Sequence, residues 1–405
     1  MLDPRFEHDS CGVGFIASAT GKATHDILLK GLTALARLEH RGAVAADGAS
    51  SDGIGLMTSV PRALLLKETG IELADDLLLG VGMLFLPAEE TRAEKVLESA
   101  LVSQGMKVLG WREVPTRPEI LGEIALSTMP KIRQVLVADA SGKPALMNPD
   151  PQGAEYQDSM ERRLYLARKQ FERAEAAGEV AGYVCSLSTT TLVYKAMCLG
   201  KLLAEFFPDL EREDYVTRFA LFHQRYATNT LPAWHRAQPG RKLGHNGEIN
   251  TVWGNRSRMV ARESTLPVEC KPIHTKDGTD STSLDETIEL ISQNGRTISE
   301  AVRMLLPPAI VSYESPFLQY HSGCTEPWDG PAAIAYSDGI AVGAALDRNG
   351  LRPCRYSIMS DGLVVAGSEA GLVDLDPTMV IESGRLGPGQ MIAVDMFEKT
   401  IYHND

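Results

Sequence analysis

The hydrophobic pattern switches between two periods along the chain. Asp9-Ser10-Cys11-Gly12-Val13-Gly14-Phe15-Ile16-Ala17 reads as a polar lead into a short buried strand. From His25 to Arg37 the spacing becomes helical, with Leu28, Leu32 and Leu35 on one face. Asp52 to Met57 starts another strand, and the apolar run Leu77 to Leu86 reads as a third. Thr91 and Glu94 form a capping-box pattern ahead of a helix lined by Val96, Leu97, Ala100 and Leu101, with Gly105 as its stop. Residues 150–180 are charged and helical through Tyr165, Leu166 and Phe171. A second capping-box pattern, Ser283 and Glu286, precedes Leu284, Ile288 and Ile291, and Gly295 ends that helix. Strand-like stretches recur near 192–194, 331–336, 340–345 and 363–367, and Gly-Pro-Gly at 387–389 opens a last one. Sheet and helix alternate without the regular rhythm of a parallel doubly wound fold. No linker divides the 405 residues into two domains.

Composition narrows the classes. The net charge is −13, and no Lys/Arg run offers a nucleic-acid footprint. The Leu77–Leu86 run is too short for a bilayer span of about 20 residues. The first ten residues, MLDPRFEHDS, lack the basic start and apolar middle of a secretory signal, so a cytoplasmic location is expected. The six cysteines are scattered and show neither CxxC pairs nor zinc-finger spacing, so no metal site is expected.

Four segments could carry chemistry, and each also fits a plain structural role. Cys11 stands in a Gly-rich setting, yet a thiol needs a base or cation nearby to act as a nucleophile. Phe222 to Thr230, FHQRYATNT, puts Arg225 among hydroxyl and amide groups; it suits a carboxylate clamp or an edge strand with a surface ion pair. His245 to Asn250, HNGEIN, carries an Asn-Gly turn signal, and Asn246 with the Gly247 N–H could form a two-donor oxyanion hole. Thr279 to Asp285, TDSTSLD, places Asp280 ahead of a helix, where it could take an ammonium group or complement the helix N-terminus.

Their order changes the reading. Cys11-Gly12, His40-Arg41-Gly42, HQRYATNT, HNGEIN and TDSTSLD together closely resemble the class II glutamine amidotransferases of the N-terminal nucleophile hydrolase superfamily. LPAW at 231–234 with AQP at 237–239, NTVWGN at 250–255, EPWDGPA from Glu326 and LDRNGLRP from Leu346 narrow the resemblance to the amidotransferase portion of glutamate synthases. The likeness runs from about Asp9 to the chain end. One departure is Pro307-Pro308-Ala309-Ile310, where the family often carries Pro-Glu-Ala-Trp.

The resemblance implies an α+β fold, a four-layer αββα sandwich with two mostly antiparallel sheets. It implies a leader, residues 1–10, removed to leave residues 11–405 with Cys11 as the N-terminal nucleophile. Asn246 and Gly247 would hold the oxyanion. Arg225, supported by Thr228, would take the α-carboxylate of L-glutamine, Asp280 the α-ammonium, and Arg41 would sit beside the nucleophile. The implied reaction is glutamine hydrolysis, with ammonia passed to a synthase domain or partner that makes glutamate from 2-oxoglutarate. The FMN and iron–sulfur cluster of such enzymes are expected in that synthase portion and none in this chain. The alternatives are a non-catalytic glutamine-binding module, should the leader be retained, and a class II amidotransferase with another ammonia acceptor. EPWDGPA and LDRNGLRP argue against the latter.

Overall fold

The computed structural model describes residues 11–87, 92–144, 147, 159–225, 230–309 and 315–404. Every strand pair among them is antiparallel. The central sheet has seven strands. Its middle is β1 (Gly12–Ser18), flanked on one side by β8 (Phe219–Gln224), β2 (Ser50–Ser59) and β7 (Thr191–Cys198). On the other side lie β13 (Leu363–Gly367), β12 (Arg355–Met359) and β14 (Val380–Arg385). A five-stranded sheet runs β16 (Thr400–Tyr402), β15 (Met391–Asp395), β11 (Ala341–Leu346), β10 (Ala332–Ser337), β9 (Leu243–Gly247), with β9 at its edge.

Side-chain alternation assigns the layers. Val13, Phe15 and Ala17 of β1 pack with Leu221, Ala333, Val342, Ala344 and Ile392, which glues the two sheets face to face. Ile16, on the opposite face of β1, packs with Ile27, Leu28 and Leu35 of the His25–Arg37 helix. The outer face of the five-stranded sheet buries Leu243, Ile334 and Tyr336 against Leu284 and Ile288 of the Asp280–Ser292 helix and Val302 of the Ile298–Leu305 helix. The αββα sandwich that the family resemblance implies is therefore present.

A third sheet was not foreseen. β4 (Met106–Glu113), β5 (Lys131–Asp139), β3 (Gly80–Leu86) and β6 (Tyr183–Ser188) form a four-stranded sheet. One of its faces packs on the Arg92–Ser103 and Met160–Ala176 helices, through Leu97, Leu101, Leu164 and Phe171. The expected cap of the first of these helices, Thr91, lies outside the described residues.

Two local expectations need correction. The helix expected to start at Ser283 begins at Asp280, capped by the Thr279 hydroxyl on the Thr282 N–H at 3.1 Å. Ser283 and Glu286 are buried inside it; Glu286 instead accepts from the Thr275 N–H at 2.9 Å. A full capping box stands further on, between Thr297 and Glu300. In addition, β8 is a central strand between β1 and β2, so the edge-strand reading of FHQRYATNT does not hold. No helix among the described residues is long and apolar enough to cross a membrane.

Candidate active site

Strand register brings the candidate residues to one end of the sandwich. β1 pairs with β8 as Gly12 with Gln224 and Val13 with His223. Cys11 and Arg225 are the next residues beyond that last pair, and the Cys11 charge acts on Arg225. Cys11 shares a strand face with Val13, which points into the gap between the two sheets. Across that gap lies β9: a side chain added at Gly244 would meet Val13 Cγ2 at 3.1 Å, and His223 Nε2 donates to the His245 carbonyl at 2.9 Å. Asn246 and Gly247 follow two and three residues after Gly244, toward Ile249 and its partner Asp280, whose charge acts on Arg225 together with that of Cys11.

The Asn-Gly pair is not a free turn. It is the end of β9, with Asn246 opposite Ala333 and Gly247 opposite Ala332. Ala332 spends both backbone groups on Asp347: its N–H donates to Asp347 Oδ1 at 3.0 Å, and its carbonyl accepts from the Asp347 N–H at 2.9 Å. In an antiparallel ladder both groups of one residue point the same way. Ala332 thus faces away from Gly247, and the Gly247 N–H is directed off the sheet edge. Gly247 has φ +140°, and a Cβ there would lie 1.7 Å from the Pro331 carbonyl oxygen. Only glycine suits this position.

Two carboxylates of the Asp280–Ser292 helix fix β9 at both ends. Asp285 accepts from the backbone N–H groups of Arg241, Lys242 and Leu243 at 3.1, 2.8 and 2.9 Å. Asp280 Oδ2 accepts from the Ile249 N–H at 2.9 Å. The family segments left unassigned by chemistry support the same strand end. Glu248 N–H donates to the Pro331 carbonyl at 3.1 Å, Asp329 N–H donates to Thr251 Oγ1 at 2.9 Å, and Arg348 pairs with Asp329 at 2.6 Å.

Arg225 is 4% exposed and among the described residues has no ion pair. Its Nη1 donates to the Asp52 carbonyl at 3.1 Å and its Nη2 to Thr230 Oγ1 at 2.7 Å, both neutral acceptors. Burial lowers its pKa from the usual guanidinium range, while the charges of Asp52, the Cys11 thiol and Asp280 act the other way. A buried cation with no carboxylate against it is costly unless a ligand supplies one. Arg41 lies at the end of the His25–Arg37 helix and its Glu39–Arg41 extension. Leu38 of that turn presses on Gly12, within 2.9 Å of where a Cβ would stand, which puts Arg41 at the same end as Cys11. Its Nε pairs with Glu369. The structure therefore gathers Cys11, Arg41, Arg225, Asn246, Gly247 and Asp280; Thr228 lies outside the described residues.

The sequence reading missed Glu369, Thr230, the Asp52 carbonyl and the His223–His245 contact. Nothing local marks them, because each acquires its place from strand pairing. Burial lowers His223 to about 3 and lowers His245 as well, so neither ring is a cation at neutral pH. A histidine whose folded pKa lies below its unfolded value of about 6.5 lends stability that is lost as pH falls from that value toward the folded one. His223 should account for roughly 1.4 kcal/mol per pH unit in that window. Denaturant unfolding at pH 7 and pH 5 should show a smaller drop for His223→Gln than for the parent chain; equal drops would contradict this.

Among the described residues no group of three or more His, Cys, Asp or Glu could hold a metal ion, and no disulfide links the six cysteines. Comparison with known proteins agrees with the geometry. The model of the family "Glutamine amidotransferases class-II" matches residues 11–405. The chain is 44% identical over 421 residues to ferredoxin-dependent glutamate synthase 2 of Synechocystis sp., covering 98% of this chain and 26% of that protein. It is 40% identical over 423 residues to the glutamate synthase [NADPH] large chain of Azospirillum brasilense, covering 99% and 27%. The corresponding chain of Bacillus subtilis is 38% identical over 423 residues, covering 100% and 27%. The chain thus spans about a quarter of the length of these relatives. On the family match along residues 11–405 and the ordered motifs it contains, this chain belongs to the class II glutamine amidotransferases.

Proposed function

We propose that this chain performs the glutaminase half-reaction of a glutamate synthase, with Cys11 as an N-terminal nucleophile. The observation that carries the reading is the convergence, at one end of the sandwich, of a thiol, an outward N–H on a sheet edge, a carboxylate and a buried arginine that has no ion pair among the described residues. Residues 1–10 lie outside the described residues, and the chemistry requires their removal. The freed α-amine of Cys11, which titrates near 8 in its unperturbed form, then takes the thiol proton directly or through a water. The thiolate attacks the side-chain amide carbon of glutamine. The tetrahedral oxyanion is held by the Asn246 side-chain amide and the Gly247 N–H. Ammonia leaves, and water hydrolyses the γ-glutamyl thioester to glutamate.

Arg225 receives the α-carboxylate with Thr228 beside it, Asp280 takes the α-ammonium, and Arg41 stands by the nucleophile. A glutamine carboxylate would give Arg225 a direct ion pair, which it does not make with any of the described residues. Arg225→Ala should therefore raise KM for glutamine by about 100-fold or more, the loss expected for one desolvated charged contact worth about 3 kcal/mol. Its kcat should fall much less. Steady-state glutaminase kinetics check this, and an unchanged KM would remove Arg225 from the clamp.

Ammonia then passes to a synthase portion, encoded separately or in a longer chain, that forms glutamate from 2-oxoglutarate. FMN and an iron–sulfur cluster belong to that portion in this proposal. Glutaminase assay of the purified protein, paired with sequencing of its N-terminus, tests the whole reading. Hydrolysis by a chain that begins at Cys11 supports it. Reversible glutamine binding by a chain that keeps residues 1–10, without hydrolysis, would instead support a binding module.

A further inference from the structure

We propose that Glu369 is a positioning residue of this site, holding Arg41 and His40 in place beside the nucleophile. The inference rests on the glutaminase reading and adds a group that the motifs do not mark. Glu369 stands two residues beyond the end of β13, and β13 is the partner of β1 on the side opposite β8. Its neighbour Ser368 is bonded to β1 in both directions. The Ser368 N–H donates to the Val13 carbonyl at 2.8 Å, and the Val13 N–H donates to Ser368 Oγ at 3.2 Å. The Glu369 backbone is thus tied to the second residue after Cys11.

Its side chain reaches to the other neighbour of the nucleophile, the turn at the end of the His25–Arg37 helix. Glu369 Oε1 accepts from Arg41 Nε, and His40 Nε2 lies 3.0 Å from Oε2. His40 Nδ1 lies 3.0 Å from the Arg37 carbonyl, so both ring nitrogens face acceptors. The Glu369 side chain is 22% exposed, as the same bonds require of a group wedged between two elements. Held through Nε by a charged acceptor, the Arg41 guanidinium has a fixed plane, since its geometry is a rigid fork. Loss of Glu369 removes the charged acceptor that fixes Arg41 through its Nε. A cation beside a thiol raises its thiolate fraction only while it stays near. Glu369 thus acts through Arg41 and does not touch the glutamine.

The test is a double-mutant cycle on the mature chain. Glu369→Ala and Arg41→Ala should each lower glutaminase kcat/KM by about 10–100-fold, the scale of a misplaced catalytic group. The double variant should be no worse than the poorer single one, because both remove the same arrangement. Glu369→Gln keeps the shape and replaces the charge by a neutral amide; it should give a smaller loss of the same kind, and it serves in the cycle should the alanine variant not fold. Losses that multiply in the double variant, or full kcat/KM in both Glu369 variants, would overturn the proposal. A second readout needs no glutamine: alkylation of Cys11 by iodoacetamide should slow several-fold in each single variant and no further in the double. If Cys11→Ala and the parent hydrolyse glutamine equally, the glutaminase reading has failed. The alkylation cycle then still decides whether Glu369 and Arg41 act together on the thiol.

Discussion

Cys11→Ala is expected to abolish glutamine hydrolysis, by at least about 10⁴-fold in kcat, since deleting a nucleophile costs up to about 10⁶ in a well-studied hydrolase. The fold should survive. Cys11 is half-buried at the mouth of β1, one residue before the ladder begins, and the core contacts of β1 come from Val13, Phe15, Ile16 and Ala17. A melting temperature close to that of the parent is therefore expected beside the lost activity. The same experiment bears on the leader. While Ser10 acylates the Cys11 nitrogen, that nitrogen is an amide and has no basic lone pair to offer. A chain that retains residues 1–10 should hydrolyse glutamine as poorly as Cys11→Ala, and a glutamine-mimicking electrophile should label Cys11 only after the leader is gone. Burial lowers both His223 and His245; His223 Nε2 already donates to the His245 carbonyl, and His245 shares with Leu243 the face of β9 that packs on the helices. They are poor substitutes for the α-amine. Intact-mass analysis of active protein settles the matter: activity in a chain that still carries residues 1–10 would mean that another group accepts the proton.

The parts of this site that could be read in the sequence are those that local chemistry dictates. The His25–Arg37 helix has its expected limits because the spacing of its apolar residues and the Thr24 cap agree. The strands around 332–346 and 363–367 were visible as short apolar runs. Three errors share one cause, which is that tertiary context overrode a local signal. Asn246-Gly247 looks like a hairpin turn, but Ala332 and Ala333 recruit it into a sheet edge. Ser283 looks like a cap, but the Thr279 hydroxyl takes that role, and the helix starts early enough to place Asp280 against Ile249. The four-stranded sheet was not anticipated, since an apolar strand carries no record of which neighbour it will pair with. Glu369 is the extreme case. It stands 358 positions from Cys11 in the chain, in an ordinary Ser-Glu-Ala-Gly stretch, and only the pairing of β13 with β1 brings it to the site.

Asn246→Ala should lower kcat by about 10²–10³-fold with little change in KM, the effect of removing one oxyanion donor, about 3–4 kcal/mol of barrier. It should leave stability nearly unchanged, and here the structure separates chemistry from folding. Asn246 is 1% exposed, yet its buried Oδ1 has no hydrogen-bond partner among the described residues. A buried acceptor left unsatisfied is a cost to the folded state, so losing that amide removes a penalty along with its packing. Gly247→Ala behaves differently. The new Cβ would lie 1.7 Å from the Pro331 carbonyl oxygen, on a residue whose φ of +140° disfavours any side chain. Relief requires the end of β9 to move, which disturbs the Glu248 N–H bond to Pro331 and the Asp280 bond to Ile249. Gly247→Ala should therefore lower the melting temperature and activity together, with KM rising as Asp280 shifts. The contrast is the informative result. Were Asn246→Ala instead to raise KM at constant kcat, its amide would be a contact of the bound substrate and not of the transition state, and the oxyanion would have to rest on the edge N–H of Gly247 and some other donor.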